Sequence, residues 1–132
     1  MKFEELCDAR YSLRKFDSRP VEAEKLQKVL EAGRKAPTAH NLQPQRFFVM
    51  QSEEALAKAD TCTACHFHPP VVIVAAYDPE IAWKREEDGK NHGEIDVTLA
   101  VSQMMLQAAD LGLGTTYVGM FNTEKLLEQF PE

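Results

Sequence analysis

Long apolar runs are missing from this sequence; none approaches the roughly 18–20 residues that a bilayer-crossing helix needs. No membrane span is expected. The opening residues, M-K-F-E-E-L-C-D-A-R-Y-S-L-R-K-F, also lack the apolar core of a secretory leader, so the expected compartment is the cytoplasm. Positive charge is in deficit, with 15 Lys and Arg against 21 Asp and Glu and a net charge of −6. Such a chain has no general attraction for nucleic acid or anionic membrane, and any basic site has to be local. Cysteine is scarce, and its count of three is odd, which argues against a disulfide framework. What remains is ordinary for one globular domain: 132 residues, 44% apolar and 27% charged.

Phe3, Leu6 and Cys7 stand at helical spacing and predict a short helix over Lys2–Asp8. The run P-V-E-A-E-K-L-Q-K-V-L-E-A-G-R predicts a second, with Pro20 near its start and Leu26, Val29, Leu30 and Gly33 on one face. R-F-F-V-M-Q reads as a strand, and Ser52 as the cap of a following helix. P-V-V-I-V-A-A-Y is continuously apolar, as a central strand buried on both faces would be. After a polar excursion, Trp83–Gly93, the run Ile95–Leu111 is nearly apolar all round and predicts a buried helix ended by Gly112. G-T-T-Y-V-G reads as a third strand, and Thr123 as the cap of a last helix. Helices and strands in this order imply an α/β or α+β fold. Three strands are few for a self-sufficient sheet, so a partner or a further segment is expected.

Two polar constellations stand out. Arg10, Ser12 and Arg14 alternate, which in an extended segment puts all three on one side. Two guanidinium forks and a hydroxyl suit a phosphate or another planar anion; the plain alternative is a solvated basic turn. The loop A-P-T-A-H-N-L-Q-P holds Thr38, Asn41 and Gln43 between Pro37 and Pro44. It suits a polyhydroxyl chain or an amide edge, or else a turn whose side chains bond their own backbone. L-G-L-G-T-T-Y-V-G is not a dinucleotide fingerprint, because that loop runs from strand to helix, and no Walker A loop exists. Cys62, Cys65, His66 and His68, in C-T-A-C-H-F-H, have the residue types of a haem attachment, a cramped zinc site or a redox pair. Ordinary thiols and surface imidazoles are the favoured reading, and no metal site is expected.

Taken together, R-Y-S-L-R, A-P-T-A-H-N-L-Q-P and A-A-D-L-G-L-G-T-T-Y-V-G resemble, in order and spacing, the nitroreductase family of FMN-dependent oxidoreductases. The excursion W-K-R-E-E-D-G-K-N-H-G-E-I-D-V resembles a short subgroup of it. The resemblance implies an α+β fold of three α/β layers, with a central, mostly antiparallel sheet flanked by helices. It implies one domain over residues 1–132, with the family's C-terminal strand and arm lying past the end of this sequence. It further implies a homodimer with FMN at the interface. NAD(P)H would reduce FMN and then give way to a small electrophilic acceptor such as a nitroaromatic or a quinone. By the same resemblance Arg10 and Ser12 would hold the FMN phosphate, and Arg14 would lie by the flavin pyrimidine edge. Thr38, Asn41 and Gln43 would bind the ribityl chain or pyrimidine. Val118 and Gly119 would face flavin N5 through their backbone amides, and Tyr11, Pro37 and Tyr117 would complete the cofactor site. No side chain would serve as a catalytic acid, base or nucleophile, because flavin and nicotinamide carry the chemistry. Gln45 and Tyr117 stand where many members have Trp. Two related readings share the fold: an FMN-binding protein without turnover, and a reductive dehalogenase-like relative, whose substrate lid is longer than Trp83–Gly93.

Overall fold

The structure is a computed structural model, and it describes residues 1–131. Five helices and two strands follow in the order α1 (Phe3–Ala9), α2 (Ala23–Arg34), β1 (Gln45–Met50), α3 (Glu53–Asp60), β2 (Val72–Tyr77), α4 (Gly93–Asp110) and α5 (Thr123–Gln129), with a 3₁₀ turn at Ala39–Asn41. The class is α+β, as expected, and the sheet is antiparallel. Gln45 pairs with Tyr77 and Met50 with Val72 at the two ends of the ladder.

Helix α4 is the spine, packing against α1, α2, β1 and β2. Its buried residues Asp96, Ala100, Met104 and Ala108 recur every fourth position, the spacing that lays one stripe along a helix. The core forms where Met104 and Ala108 meet Val29 of α2, with Leu30, Phe47, Ile73, Leu111 and Leu113 packed around them. Close approach of α2 and α4 requires Gly33: a Cβ there would lie 2.6 Å from the Met104 sulfur and 2.9 Å from Phe47 Cε2. The helix ends at Gly112, whose φ of +78° suits a residue without a Cβ.

Four expectations need correction. G-T-T-Y-V-G is not a strand: only Thr115 and Phe121 make isolated bridges, to Ser12 and Thr63, and the backbone between them has no ladder. The sheet therefore has two strands. For the same reason β2 is not a central strand buried on both faces; all six of its residues are partly exposed. Helix α4 is not buried all round, since Ile95 and Leu99 are 41% and 47% exposed on the side away from its buried stripe. Asn122, not Thr123, caps α5: its side chain accepts a hydrogen bond from Lys125 N at 3.0 Å, and Thr123 is the first helical residue. Ser52 does cap α3, accepting from Ala55 N at 3.1 Å.

Candidate functional site

Arg10–Arg14 leaves α1 in extended conformation, Arg10 having φ −70° and ψ 126°. The segment is fixed by one parallel bridge, Ser12 to Thr115, through which Leu13 N donates to Thr115 O at 2.9 Å. Leu13 turns inward against Gly114, while Tyr11, Ser12 and Arg14 are exposed and Arg10 is partly so. A cleft of about 310 Å³ runs between this segment and the exit of α4, lined by Arg10, Tyr11, Leu13, Ala109, Gly112 and Gly114 among others. Among the described residues no carboxylate forms an ion pair with Arg10 or Arg14. The basic cluster is thus a pair of charged forks without internal partners, in a chain otherwise rich in acid.

The loop between α2 and β1 is tied down at several points. Ala36 and Pro44 anchor its ends in the interior. Between them His40, Asn41 and Gln43 all have left-handed backbone, with φ of 55°, 53° and 54°. Such a conformation costs a non-glycine residue on the order of 1 kcal/mol, so surrounding bonds have to hold it. Thr38 Oγ1 accepts from Gln43 N at 3.0 Å, and Arg46 donates to Gln43 O at 3.0 Å. Asp96 of α4 accepts from Ala39 N at 3.0 Å. His40 stacks on Trp83, ring centroids 4.9 Å apart, and Trp83 meets His92 edge-on at 4.6 Å. The Asn41 and Gln43 side chains stay exposed, Pro37 is exposed, and Thr38 is half-buried.

The stretch Thr115–Phe121 is the third part. It is held at one end by Ser12 and at the other by the cysteine segment: Thr63 Oγ1 donates to Met120 O at 2.5 Å and Asn122 N to Cys62 O at 2.7 Å. Between these ties Tyr117 is 61% exposed, Gly119 is exposed and Val118 is half-buried. Among the described residues no hydrogen bond joins Arg10–Arg14 to the Pro37–Gln43 loop.

Cys62–His68 has a scaffolding position. All three cysteines are free thiols; Cys62 is buried and its sulfur contacts the Lys58 carbonyl at 3.4 Å. His66 Nδ1 lies 2.9 Å from Asp60 Oδ1, and His66 stacks on His68. The described residues contain no group of three or more His, Cys, Asp or Glu placed to hold a metal ion.

Sequence reading missed Asp96, His40, Trp83 and His92. A signal for the first was present: Asp96 is the sole carboxylate between Ile95 and Ala109 in an otherwise apolar or neutral helix, where a charge needs a partner. The stack of His40 on Trp83 has no such signal, because it joins residues far apart in sequence.

Comparison with known proteins converges. A model of the nitroreductase family matches residues 8–68 and 61–131. A nitroreductase family protein of Clostridium difficile, solved as a crystal structure, superimposes with a TM-score of 0.96 at 41% identity, covering 100% of this chain and 76% of that one. A Desulfovibrio desulfuricans protein solved in complex with FMN matches with a TM-score of 0.80 at 25% identity, over 97% of this chain and 73% of its own. An Archaeoglobus fulgidus relative, whose name proposes an NADH dehydrogenase or NAD(P)H nitroreductase, is 27% identical over 93% of this chain. The chain spans 70%, 64% and 54% of the length of the Archaeoglobus, Methanothermobacter and first Staphylococcus epidermidis relatives.

Proposed function

The chain belongs to the nitroreductase family, and from that membership we propose an FMN-dependent oxidoreductase. It would pass a hydride from NAD(P)H, through FMN, to a small electrophile such as a nitroaromatic or a quinone. The observation that carries the reading is the pair Arg10 and Arg14. Among the described residues neither guanidinium forms an ion pair, and the extended segment that carries them is bonded to Thr115. Anion forks of that kind, beside a preformed polar loop, fit a phosphorylated cofactor with a polyhydroxyl chain.

Bound FMN would supply reversible hydride acceptance. This chain's own residues bind and orient it. Arg10 and Ser12 take the phosphate, and Tyr11 flanks it. Arg14 sits by the pyrimidine edge, where a cation favours the negative charge of the reduced ring. Pro37, Thr38, Asn41 and Gln43 hold the ribityl chain or pyrimidine from a loop that needs no rearrangement. Val118 and Gly119 present backbone amides to the N5 side, and Tyr117 borders the acceptor space.

Residues 1–132 act as one FMN-binding domain in this reading, and a second copy completes the site. Support for the second copy comes from large exposed apolar groups: Phe48, Ile95, Leu99, Met120, Phe121 and Leu127 are each between 41% and 68% exposed. Apolar groups of this size are what a second copy would cover. Cytoplasmic residence goes with the reading, and no helix among the described residues is long and apolar enough to cross a membrane.

The test is the visible spectrum of purified protein, taken before and after anaerobic NADH or NADPH. A flavin band that bleaches supports the proposal. A colourless protein that takes up no added FMN overturns it, as does a bound flavin that neither nucleotide reduces.

A further inference from the structure

Asp96 is 1% exposed and sits in a helix stripe whose other buried members are Gly93, Ala100, Met104 and Ala108. An apolar residue would pack there at no electrostatic cost, whereas a buried carboxylate is unfavourable unless its bonds are made. Its Oδ1 is used, by Ala39 N at 3.0 Å across 57 positions of sequence. Among the described residues its Oδ2 has no hydrogen-bond partner, and neither has Nε2 of His92, one helical turn earlier. His92 in turn supports Trp83, on which His40 stacks. Two braces from the start of α4 therefore converge on the same two adjacent loop residues, Ala39 by hydrogen bond and His40 by ring stacking.

We infer that Asp96 is the positioning residue of the Pro37–Gln43 loop. It fixes Ala39 so that the left-handed run His40, Asn41 and Gln43 stands ready-formed, with Thr38, Asn41 and Gln43 presented to FMN. The inference rests on the FMN reading above and deepens it. Asp96 is buried and, among the described residues, its carboxylate accepts its one hydrogen bond from the Ala39 amide, so its action on the site runs through the loop backbone. A loop held in its binding conformation before the ligand arrives removes an ordering cost from binding, so loss of the tie appears chiefly as weaker FMN affinity.

The experiment compares wild type, Asp96→Ala and Asp96→Asn. The readouts are FMN affinity by flavin fluorescence titration of the full chain, and amide hydrogen exchange at Ala39 in the FMN-free protein. The Asn variant keeps an acceptor of the same shape for Ala39 N, so near-wild-type affinity and protection are expected of it. Asp96→Ala is expected to weaken FMN binding by roughly fivefold to tenfold, about the worth of one intramolecular hydrogen bond. It is also expected to speed exchange at Ala39, while far-ultraviolet dichroism shows the helices retained. Fast exchange at Ala39 in wild type, or FMN affinity unchanged in Asp96→Ala, overturns the inference. If Asp96→Ala does not fold, wild-type exchange at Ala39 and the behaviour of Asp96→Asn decide it. Wild type that binds no FMN while Ala39 stays protected overturns the functional reading and leaves the loop tie standing.

Discussion

Ser12 and Thr115 lie side by side in a parallel bridge, among the described residues the one backbone tie between the basic segment after α1 and the stretch after α4. Its geometry depends on Gly114, where an added Cβ would come within 2.2 Å of Leu13 Cδ2 and 3.2 Å of Leu13 Cβ. Gly114→Val is therefore expected to push Leu13 outward and to destabilise the protein by about 1–3 kcal/mol, as overpacking does. FMN affinity falls with it. Urea unfolding measures the first effect, and a midpoint equal to wild type would show that the two segments do not press on each other.

Arg10 and Arg14 separate into different roles under the proposed function. Arg10→Ala is expected to weaken FMN binding by roughly tenfold to a hundredfold and to flatten its salt dependence, because a charge-assisted bond to phosphate is lost. Arg14→Ala is expected to lower the reduction potential of bound FMN, since the cation favours the reduced, anionic ring. Potentiometric titration of the two variants checks the division. An unchanged potential in Arg14→Ala removes it from the pyrimidine edge.

Gly33 and Met104 are expected to be energetically coupled. Met104→Ala alone opens a cavity in the core and costs about 2–5 kcal/mol. Gly33→Ala alone drives a Cβ into the Met104 side chain and the Phe47 ring. In the double variant the new methyl enters space that Met104 has vacated, so its cost falls below the sum of the single costs. Additive costs in denaturant unfolding would mean that α2 and α4 do not approach as closely as the structure places them.

Asp88 and Arg85 close the turn of the Trp83–Gly93 excursion, with Arg85 Nε donating to Asp88 Oδ1 at 2.9 Å. The guanidinium bonds, and after them the Lys90 amide, hold the Asp88 carboxyl down to about 2 from its ordinary 3.8. The sign follows from a lowered folded value. The pair's stabilising effect is complete above the ordinary range and is lost as pH falls from about 3.8 towards about 2. Both groups are exposed enough that the effect on overall stability is small. Carboxyl-carbon NMR should find the Asp88 midpoint near 2, and Arg85→Gln should return it towards the ordinary range. An ordinary midpoint in wild type would mean that the turn is open in solution.

Local signals carried much of the fold into view. Helical periodicity placed α2, the apolar run placed β2, and Ser52 announced the start of α3. These features depend on neighbours within a few residues. Failures came where partners decide. G-T-T-Y-V-G has strand-forming residues, but among the described residues its one bridge is Thr115 to Ser12, and the next, Phe121 to Thr63, lies beyond the run. Asn122 takes the cap that Thr123 was expected to supply, its own amide being held by the Cys62 carbonyl at 2.7 Å. In the candidate site, Arg10, Ser12 and Arg14 were legible as a cluster, and the Pro-bounded loop as an ordered one. The loop's left-handed residues, and Asp96 that ties it, were not, because non-glycine positive φ follows from tertiary bonds.

The two-stranded sheet has a consequence for handling the protein. Among the described residues β1 and β2 pair only with each other, so each strand keeps one open edge of amide and carbonyl groups. Phe48 and Val49 stand exposed on β1. Open edges beside apolar side chains are templates for another strand. Crowded or partly unfolded chains thus have a favoured direction of misassembly, along the sheet plane at right angles to the strands. Any segment that pairs those edges, from the same chain or another, would protect the protein by occupying the place where a fibril would otherwise begin.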